Sequence, residues 1–466
     1  MEVAMIFINR EAEMDFLEEK HTSTRPHFIV IYGKRRVGKT ELVKHFFRGK
    51  PHIYYLADRL TERDQLKEIS GKVGAFYHDD LIAENPFRSW EQIFRYLSKK
   101  NGRFILVIDE FPYLIEANKA VSSLFQKGWD EYLKNTKIFL ILLGSSVSMM
   151  ESEVLSQRSP LYGRRTGQLH ITPMSFTEIQ GFFPNYSFEE RVILYGIAGG
   201  TPYYLSLLDP ELSPLDNVRK YLLTKGEFLH EEVEFLLREE LKEPRNYFTI
   251  LRALALGKRK LSEIINETGL EKNIATKYLS VLRNLYIVTK EVPVTERVPE
   301  KSKKGLYRIE DHFFNFWFRY VFMNRGLIEE GECDEVMRLI RRDLHLYIGP
   351  VYEDIAQQIL RTMMAKGDLP FRLPYAGRWW EKNEEIDLVA FHPETKEILF
   401  GECKWSHRPV GENIYHDLVR KAEAVDWERG GRKEYYMLFS KSGFTPRMAQ
   451  LAREKGIFLV SGEGPL

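Results

Sequence analysis

The segment 33–40 constrains the fold of this chain more strongly than any other. It reads glycine, four residues and then Gly-Lys-Thr, and it separates the apolar run 28–32 from the amphipathic run 41–47. A glycine-rich turn between a buried strand and a helix directs backbone N–H groups at a bound anion. The sequence therefore predicts an α/β fold with a parallel sheet and a phosphate-binding loop at the end of one strand.

The residue types in this loop predict ATP and ADP as ligands, together with Mg²⁺. The ammonium group of Lys39 would neutralise the β- and γ-phosphates, and the Thr40 hydroxyl would hold the metal ion. The two glycines allow the backbone to bend close to a phosphate. The expected nucleotide contacts come from Gly33, Lys34, Arg35, Arg36, Val37, Gly38, Lys39, Thr40 and Glu41.

Two further apolar runs end in polar residues that would complete such a site. The run 104–108 is followed by Asp109 and Glu110, and the run 138–143 is followed by Ser145 after one glycine. Because α/β sheets bind ligands at the carboxyl ends of their strands, we expect Asp109 in the Mg²⁺ shell and Glu110 beside the attacking water. Ser145 either senses the γ-phosphate or belongs to the N-cap of the next helix.

A basic loop follows this region and contains Arg158, Arg164 and Arg165. An arginine here could reach a γ-phosphate within the chain or across a subunit interface, as an arginine finger does. The alternative is that each is a solvated surface side chain paired with a carboxylate. We name Arg158 and Arg164 as the candidates.

The composition limits the classes of protein to which the chain can belong. With 466 residues it is too long for one core, and its net charge of +1 means that any nucleic-acid surface must be local. Cys333 and Cys403 are too few and too far apart for a zinc site or a disulfide framework, which favours a reducing, cytoplasmic compartment. No apolar run is long enough for a membrane span, so no membrane partner is expected.

The pattern over 245–309 predicts a winged helix-turn-helix. Three short amphipathic runs are followed by two strand-like segments, 286–289 and 306–309. The third run is expected to bury Ile274, Tyr278, Val281, Leu282 and Leu285.

The basic residues of this region suggest a local footprint for DNA phosphates. The alternative is a packing or lid module whose basic side chains are solvated. The expected DNA contacts are Lys272, Asn273, Thr276, Lys277, Arg283 and the clusters 258–260 and 301–304. The following aromatic segment 311–321 is too dense in large rings to be exposed, and a core role is expected for it.

The C-terminal quarter of the chain predicts a second α/β domain. A helix beginning near Pro350 places Glu353 at the rim of its apolar face. On two later strands, Asp387 and Glu402 would bind Mg²⁺ beside a scissile phosphate, and Lys404 would steady the attacking water. The alternative for Glu402 and Lys404 is an ion-pair ladder on an exposed sheet face.

Five segments of the N-terminal half form a combined pattern. They are residues 7–13, 33–40, 109–110, 144–146 and 199–203. Together they resemble the archaeal branch of the signal-transduction ATPases with numerous domains, which are relatives of the AAA+ proteins. The resemblance implies that Asn9 and Arg10 lie near the adenine and that Pro202 belongs to a helical lid over the nucleotide.

The C-terminal pattern is similar to the PD-(D/E)xK nuclease superfamily, which includes restriction-type enzymes and archaeal Holliday-junction resolvases. The resemblance implies metal ligation by Asp387 and Glu402, catalysis by Lys404 and a helical acid at Glu353. One departure is that Asp387 follows Glu-Ile and no Pro-Asp pair is present at this position.

The sequence thus predicts a restriction-endonuclease-like α/β domain after a P-loop ATPase. The expected order is an ATPase core at 1–185, a helical lid at 186–240, a winged helix at 241–310, an aromatic connector at 311–345 and the nuclease-like domain at 346–466. The predicted function is an ATPase that couples nucleotide state to DNA recognition, with metal-dependent DNA cleavage as its second activity. The alternative is an ATP-driven switch that binds a protein partner or a second copy, with a silent nuclease-like domain.

Overall fold

The computed structural model describes residues 7–241, 243–462 and 464–465. The chain forms two compact units. The first unit extends to Pro173 and also contains Thr201–Ser206, and the second contains Met174–Gly200 and the chain from Leu207 onward.

The first unit is a five-stranded parallel sheet with helices between its strands. Its strands are β1 (His27–Tyr32), β2 (His52–Leu56), β3 (Ile105–Asp109), β4 (Phe139–Gly144) and β5 (Gly167–His170). The strand order is β2-β3-β4-β1-β5, and every neighbouring pair is parallel. β1, β3 and β4 lie where the apolar runs 28–32, 104–108 and 138–143 predict strands. β1, β3 and β4 are buried along their whole length, as expected for strands covered on both faces.

Helix α1 (Glu11–Thr22) precedes β1, and the other helices up to Met150 connect successive strands of this unit. They are α2 (Lys39–Phe47), α3 (Glu62–Tyr77), α4 (Asp80–Glu84), α5 (Trp90–Ser98), α6 (Phe111–Ala117), α7 (Val121–Gly128) and α8 (Val147–Met150), with π-helical turns at Trp129–Leu133 and Glu151–Leu155. The short helix α10 (Pro202–Leu207), preceded in the chain by α9 (Phe188–Ala198), places five of its residues in this unit.

The second unit begins with helices and contains the predicted three-helix segment. Its early helices besides α9 are α11 (Pro214–Asn217) and α12 (Phe228–Glu240). The helices α13 (Arg245–Ala255), α14 (Leu261–Thr268) and α15 (Lys272–Asn284) are followed by the antiparallel strands β6 (Val288–Glu291) and β7 (Leu306–Ile309). This is the order of elements that a winged helix-turn-helix requires.

The buried face of α15 differs from the predicted one. Ile274 is exposed, whereas Ala275, Leu279 and Leu282 are buried. The prediction for Ile274 is wrong because the large apolar residues alone defined the face, while the small Ala275 begins the 3.6-residue repeat that packs inward.

The aromatic segment is part of the core, as predicted. Helix α16 (His312–Phe316) and the π-helical turn Trp317–Val321 bury Phe313, Phe316 and Trp317 completely. The indole N–H of Trp317 donates a 2.7 Å hydrogen bond to the His230 carbonyl, so the buried ring leaves no unpaired donor. Helix α17 (Arg325–Glu329) follows.

Helix α18 (Cys333–Lys366) is much longer than predicted, and Pro350 lies inside it. The predicted start near Pro350 is therefore wrong, and the expected boundary at 345–346 falls within one continuous helix. A proline inside a helix costs about 3 kcal/mol. Ile348 and Val351 are buried on either side of it, and each contributes about 1.5–3 kcal/mol, which offsets that cost.

A six-stranded mixed sheet completes the second unit. Its strands are β8 (Tyr375–Glu381), β9 (Glu384–His392), β10 (Glu397–Lys404), β11 (Lys433–Ser440), β12 (Phe458–Ser461) and β13 (Gly464–Pro465). The parallel pairs β10–β11 and β11–β12 are joined by α19 (Glu412–Ala424) and α20 (Pro446–Lys455), and the other neighbouring pairs are antiparallel. The predicted strands with Asp387 and Glu402 are β9 and β10. Within the described residues, no helix is long and apolar enough to cross a membrane.

Candidate nucleotide site and a second carboxylate cluster

The loop 33–38 has the backbone geometry of a phosphate-binding turn between β1 and α2. Gly38 has a φ of 91°, in the region that favours glycine. A Cβ at Gly33 would lie only 2.1 Å from the carbonyl oxygen of Ile171, so only glycine fits there. The buried Lys39 donates from Nζ to the Lys34 carbonyl oxygen at 2.8 Å, which holds its ammonium group against the loop.

Three polar side chains meet at the carboxyl end of β3. The Thr40 hydroxyl donates to Asp109 Oδ2 at 2.8 Å, and the Tyr54 hydroxyl donates to the same oxygen at 2.8 Å. Asp109 is 1% exposed. Burial raises the pKa of Tyr54 well above its usual value, and the neighbouring Asp109 charge adds to this. Thr40 and Asp109 therefore form the hydroxyl and carboxylate pair that Mg²⁺ prefers in such sites.

Tyr54 was not predicted as a site residue, although the register between β2 and β3 places it near Asp109. β2 pairs with β3 so that Tyr54 is opposite Val107, and Leu56 is opposite Asp109. Side chains two residues apart share a sheet face, so Tyr54 and Asp109 are diagonal neighbours.

Glu110 and Ser145 are joined by two hydrogen bonds. Glu110 Oε2 accepts from the Ser145 hydroxyl at 2.8 Å and from the Ser145 backbone N–H at 3.2 Å. β4 lies between β1 and β3, which brings Ser145 to the same edge as the phosphate loop. Glu110 has a φ of 53° at the N-cap of α6. Ser146 occupies the N-cap position of α8, but its side chain makes no capping hydrogen bond. The Ser145 side chain bonds Glu110, so neither serine side chain caps α8.

The segment before α1 is fixed to the phosphate loop. The buried Arg10 side chain donates to the carbonyl oxygens of Val37 at 3.3 Å and Thr172 at 2.6 Å, and it pairs with Glu13 at 2.9 Å. Asn9 lies beside it in a left-handed conformation, with a φ of 57°. Arg10 thus braces the loop, and adenine contacts by Asn9 and Arg10 stay a prediction.

The segment after Gly200 also reaches the loop. The Arg36 guanidinium lies 4.7 Å from the centroid of the Tyr203 ring, and the Tyr203 N–H donates to the Arg36 carbonyl oxygen at 3.4 Å. The neighbouring Pro202 is buried at the start of α10. A lid role for Pro202 stays a prediction, but its helix contacts the loop through Tyr203.

The candidate arginine fingers have different surroundings. Arg158 is exposed. Arg164 pairs with Asp130 at 3.2 Å and also donates to the Tyr162 carbonyl oxygen. Arg165 donates to the Leu155 carbonyl oxygen at 3.1 Å. The surroundings of Arg164 match the paired-surface alternative, so Arg158 is the better candidate for a contact made across an interface.

The predicted nuclease-like residues lie together on β9 and β10. Asp387 Oδ2 accepts from the Cys403 backbone N–H at 2.9 Å. Burial raises the pKa of Asp387 to about 6, and the nearby Glu402 charge contributes. Glu402 Oε1 pairs with Lys404 Nζ at 2.7 Å and with Lys421 Nζ at 3.3 Å. Lys421 on α19 was missed because it lies seventeen residues beyond Lys404 on another element.

Glu353 of α18 is the third carboxylate of this cluster. It lies 2.8 Å from Arg378 of β8, which also pairs with Glu385 at 2.7 Å. Burial raises the pKa of Glu353 to about 8, Arg378 opposes this shift, and Asp387 adds to it. Among the described residues, no group of three or more His, Cys, Asp or Glu side chains is arranged to hold a metal ion. Metal binding by Glu353, Asp387 and Glu402 stays a prediction.

The predicted DNA footprint is only partly available. Lys272, Asn273, Thr276, Lys277 and Arg283 are exposed. The remaining two clusters are partly engaged within the protein. Lys304 pairs with Glu296 at 3.0 Å and with Glu381, and Arg259 pairs with Glu291 at 2.7 Å.

Comparison with known proteins identifies an ATPase domain in the N-terminal half of the chain. A family described as an ATPase domain predominantly from Archaea matches residues 7–208, and a family of archaeal and bacterial proteins of unknown function matches residues 317–418. These matches confirm the predicted archaeal ATPase, and residues 7–208 are an ATPase domain of that family.

Similarity over nearly the whole chain extends to an archaeal protein. The uncharacterized protein MJECL04 of Methanocaldococcus jannaschii is 42% identical over 94% of this chain and 96% of its own length. The Walker-type ATPase PABY2304 of Pyrococcus abyssi aligns in structure with a TM-score of 0.49 and 22% identity, covering 67% of this chain and 96% of that chain. A signal-transduction ATPase with numerous domains from Pyrococcus horikoshii aligns with a TM-score of 0.30 and 15% identity, covering 77% of this chain and 50% of that chain.

Proposed function

Because residues 7–208 belong to an archaeal ATPase family and the whole chain belongs to one family with MJECL04 of M. jannaschii, we propose that it hydrolyses ATP with Mg²⁺ and couples nucleotide state to DNA recognition. The observation that carries the ATPase proposal is the arrangement of Thr40, Asp109, Glu110 and Ser145 at one sheet edge. The DNA proposal rests on the exposed basic face of α15.

Each residue of the nucleotide site has a defined task in this proposal. The loop amides and Lys39 hold the phosphates, and Thr40 and Asp109 would hold Mg²⁺, which supplies positive charge to the reacting phosphoryl group. Glu110 accepts a proton from, or orients, the attacking water. Ser145 determines where the Glu110 carboxylate lies, because both of its donors bind the same oxygen.

Steady-state ATP hydrolysis tests the nucleotide site. Lys39→Ala should abolish binding or hydrolysis, and Glu110→Gln should retain ATP binding with at least about a hundredfold loss of turnover. Glu116→Gln is the matched control, since Glu116 is an exposed carboxylate on the same helix. Turnover in Glu110→Gln equal to that of the control would refute the role of Glu110.

DNA binding is tested by its dependence on salt. Lys277→Ala should weaken duplex binding and reduce the slope of log K against log salt by about one, as expected for the loss of one phosphate contact. The matched control is Lys67→Ala, since Lys67 is exposed on α3 of the other unit. Equal slopes for the two variants would show that α15 does not contact DNA.

DNA cleavage at the second carboxylate cluster is the finer part of the proposal. The half-buried Asp387 lies near the buried Glu402, and Lys404 Nζ forms a salt bridge with Glu402. Incubation with linear, single-stranded and branched DNA plus Mg²⁺ or Mn²⁺ tests it. Cutting should be lost in Asp387→Ala and retained in Asp426→Ala, whose aspartate is 91% exposed.

One observation favours a second candidate function, an ATP-driven switch that grips DNA or a protein without cutting. Glu402 is paired with two ammonium groups, those of Lys404 and Lys421, and a carboxylate so neutralised is a weaker ligand for a cation. This switch would be favoured if the protein hydrolyses ATP but cleaves none of the DNA substrates, whether or not ATP is present in the cleavage assay. Cleavage that is lost in Asp387→Ala would exclude it.

A further inference from the structure

The second unit contains a cavity whose walls carry four arginines. Its volume is about 150 Å³, and it lies between the three-helix segment, α16, α18 and β8. The arginines are Arg259, Arg308, Arg319 and Arg378, and Asp354 supplies a carboxylate. Guanidinium groups stay charged at all relevant pH values, so this cavity has a fixed concentration of positive charge.

Two of these arginines have hydrogen-bond donors without a partner. The Nε groups of Arg259 and Arg378 are buried and bind no acceptor in the part of the chain that the structure describes. The Arg378 side chain is only 9% exposed. These two Nε groups are enclosed, but the Nη1 groups of the same arginines also bind no acceptor among the described residues and are not enclosed, so an anion in the cavity can reach them.

Carboxylates pair with Arg308 and with the Nη2 group of Arg259. Glu291 pairs with Arg259 Nη2 at 2.7 Å and with Arg308 Nε at 2.5 Å. Asp354 holds Arg308 through two bonds of 2.7 and 3.1 Å. Burial and the charges of Arg378 and Arg308 lower the pKa of Arg259, while Glu291 and Glu385 oppose this. Carboxylates raise the pKa of Arg308 and Arg378, so among these three arginines it is Arg259 that burial and its charged neighbours destabilise.

The other two arginines are held differently. Arg378 is held through Nη2 by Glu353 at 2.8 Å and Glu385 at 2.7 Å. Arg319 lies 5.6 and 5.8 Å from the ring centroids of Tyr320 and Tyr347, which provide aromatic faces. Among the residues that the structure describes, no carboxylate forms a salt bridge with Arg319, so its charge is available to an anion.

Pro350 adds an acceptor to the same wall. It has no N–H, so the Leu346 carbonyl one turn earlier lacks its helical donor. Both residues line the cavity.

We propose that this cavity binds a phosphate-sized oxyanion, the terminal phosphate of a phosphomonoester or inorganic phosphate. The volume corresponds to about five waters, which accommodates one phosphoryl group. The planar arginine fork matches the geometry of phosphate oxygens. This inference uses no residue of the nucleotide site and does not depend on DNA cleavage.

Calorimetric titration of inorganic phosphate into the full chain tests the proposal. The nucleotide site is first saturated with Mg²⁺ and a non-hydrolysable ATP analogue, so that the loop 33–38 does not compete. One phosphate per chain should bind, and Arg259→Gln should weaken binding by about tenfold or more, as expected for a lost charge-assisted hydrogen bond. Arg252→Gln is the matched control, since Arg252 is 49% exposed on α13 and does not line this cavity.

Arg319→Gln, from another wall, gives a second test in case Arg259→Gln unfolds. It should also weaken phosphate binding, while thermal unfolding checks that the chain remains folded. Absence of phosphate binding to the parent protein, or unchanged affinity in a folded Arg259→Gln and in Arg319→Gln, would overturn the proposal.

Competition identifies the source of the phosphate. Displacement of bound phosphate by a 5′-phosphorylated DNA hexamer, but not by the same hexamer with a 5′-hydroxyl, would support the site and assign it to a DNA end. Displacement by neither hexamer, with Arg259-dependent phosphate binding, would support the site and assign it to a small phosphorylated molecule. Equal displacement by both hexamers would overturn recognition of a terminal phosphate.

Discussion

Replacing Glu353 with glutamine is expected to stabilise the protein at alkaline pH and to leave its stability unchanged at acidic pH. Burial raises the pKa of Glu353 from 4.5 to about 8, so the folded state holds the proton far more tightly than the unfolded chain does. The stability from this protonated carboxyl is fully present below about pH 4.5 and is lost as the pH rises through about 8.

The size of the effect follows from the shift. A difference of about 3.5 pKa units, at about 1.4 kcal/mol per unit, corresponds to roughly 5 kcal/mol as an upper value. Glutamine has the shape of the protonated acid and does not ionise, so Glu353→Gln removes this dependence. Arg378 remains paired with Glu385 in the variant, which limits the secondary loss.

Urea unfolding at about pH 4, 7 and 9 measures this difference. We expect equal free energies of unfolding at the lowest pH and a variant that is several kcal/mol more stable at the highest. Glu335→Gln, near the start of the same helix and paired with Arg338, is the control and should keep the parent's pH dependence. Parallel curves for the parent and Glu353→Gln would refute the assigned burial and protonation.

Three further predictions follow from single contacts. Gly33→Ala should abolish binding of a fluorescent ATP analogue, because the added Cβ would lie 2.1 Å from a main-chain oxygen; retained binding would contradict the loop geometry. Ser145→Ala should lower kcat about tenfold with little change in KM, since it removes the 2.8 Å hydrogen bond to Glu110. An unchanged kcat would show that this hydrogen bond does not contribute to catalysis. Asp354→Ala should reduce the free energy of unfolding by about 2 kcal/mol or more in urea titrations, because Arg308 loses a two-bond partner. An unchanged midpoint would show that this pair is not stabilising.

The parallel sheet was predictable because its central strands β1, β3 and β4 are continuous apolar runs. β3 and β4 must be covered on both faces, and the polar residues that follow them, Asp109 and Ser145, must then lie at one edge. The hydrogen bonds among these residues could not be predicted from spacing alone. Tyr54 illustrates this, because its contact with Asp109 depends on the register between two strands more than forty residues apart.

The C-terminal half was less predictable, for two physical reasons. Pro350 is a strong local signal for a helix start, but the buried residues around it keep α18 continuous. Charged pairs between distant elements have no local pattern at all. Lys421 reaches Glu402 only because α19 packs on β10, and Arg378 reaches Glu353 only because β8 lies beside α18.

The division of the chain into units has a consequence for folding during synthesis. The first unit is discontinuous, since residues 174–200 belong to the second unit before Thr201–Ser206 returns to the first. A fragment that stops at Pro173 therefore lacks Tyr203, the partner of the Arg36 guanidinium in the phosphate loop. A nascent chain can form the contact between Arg36 and Tyr203 only after about thirty residues beyond Pro173 have left the ribosome. A fragment that retains this contact must extend at least to Tyr203, and it then includes residues 174–200, which pack in the second unit.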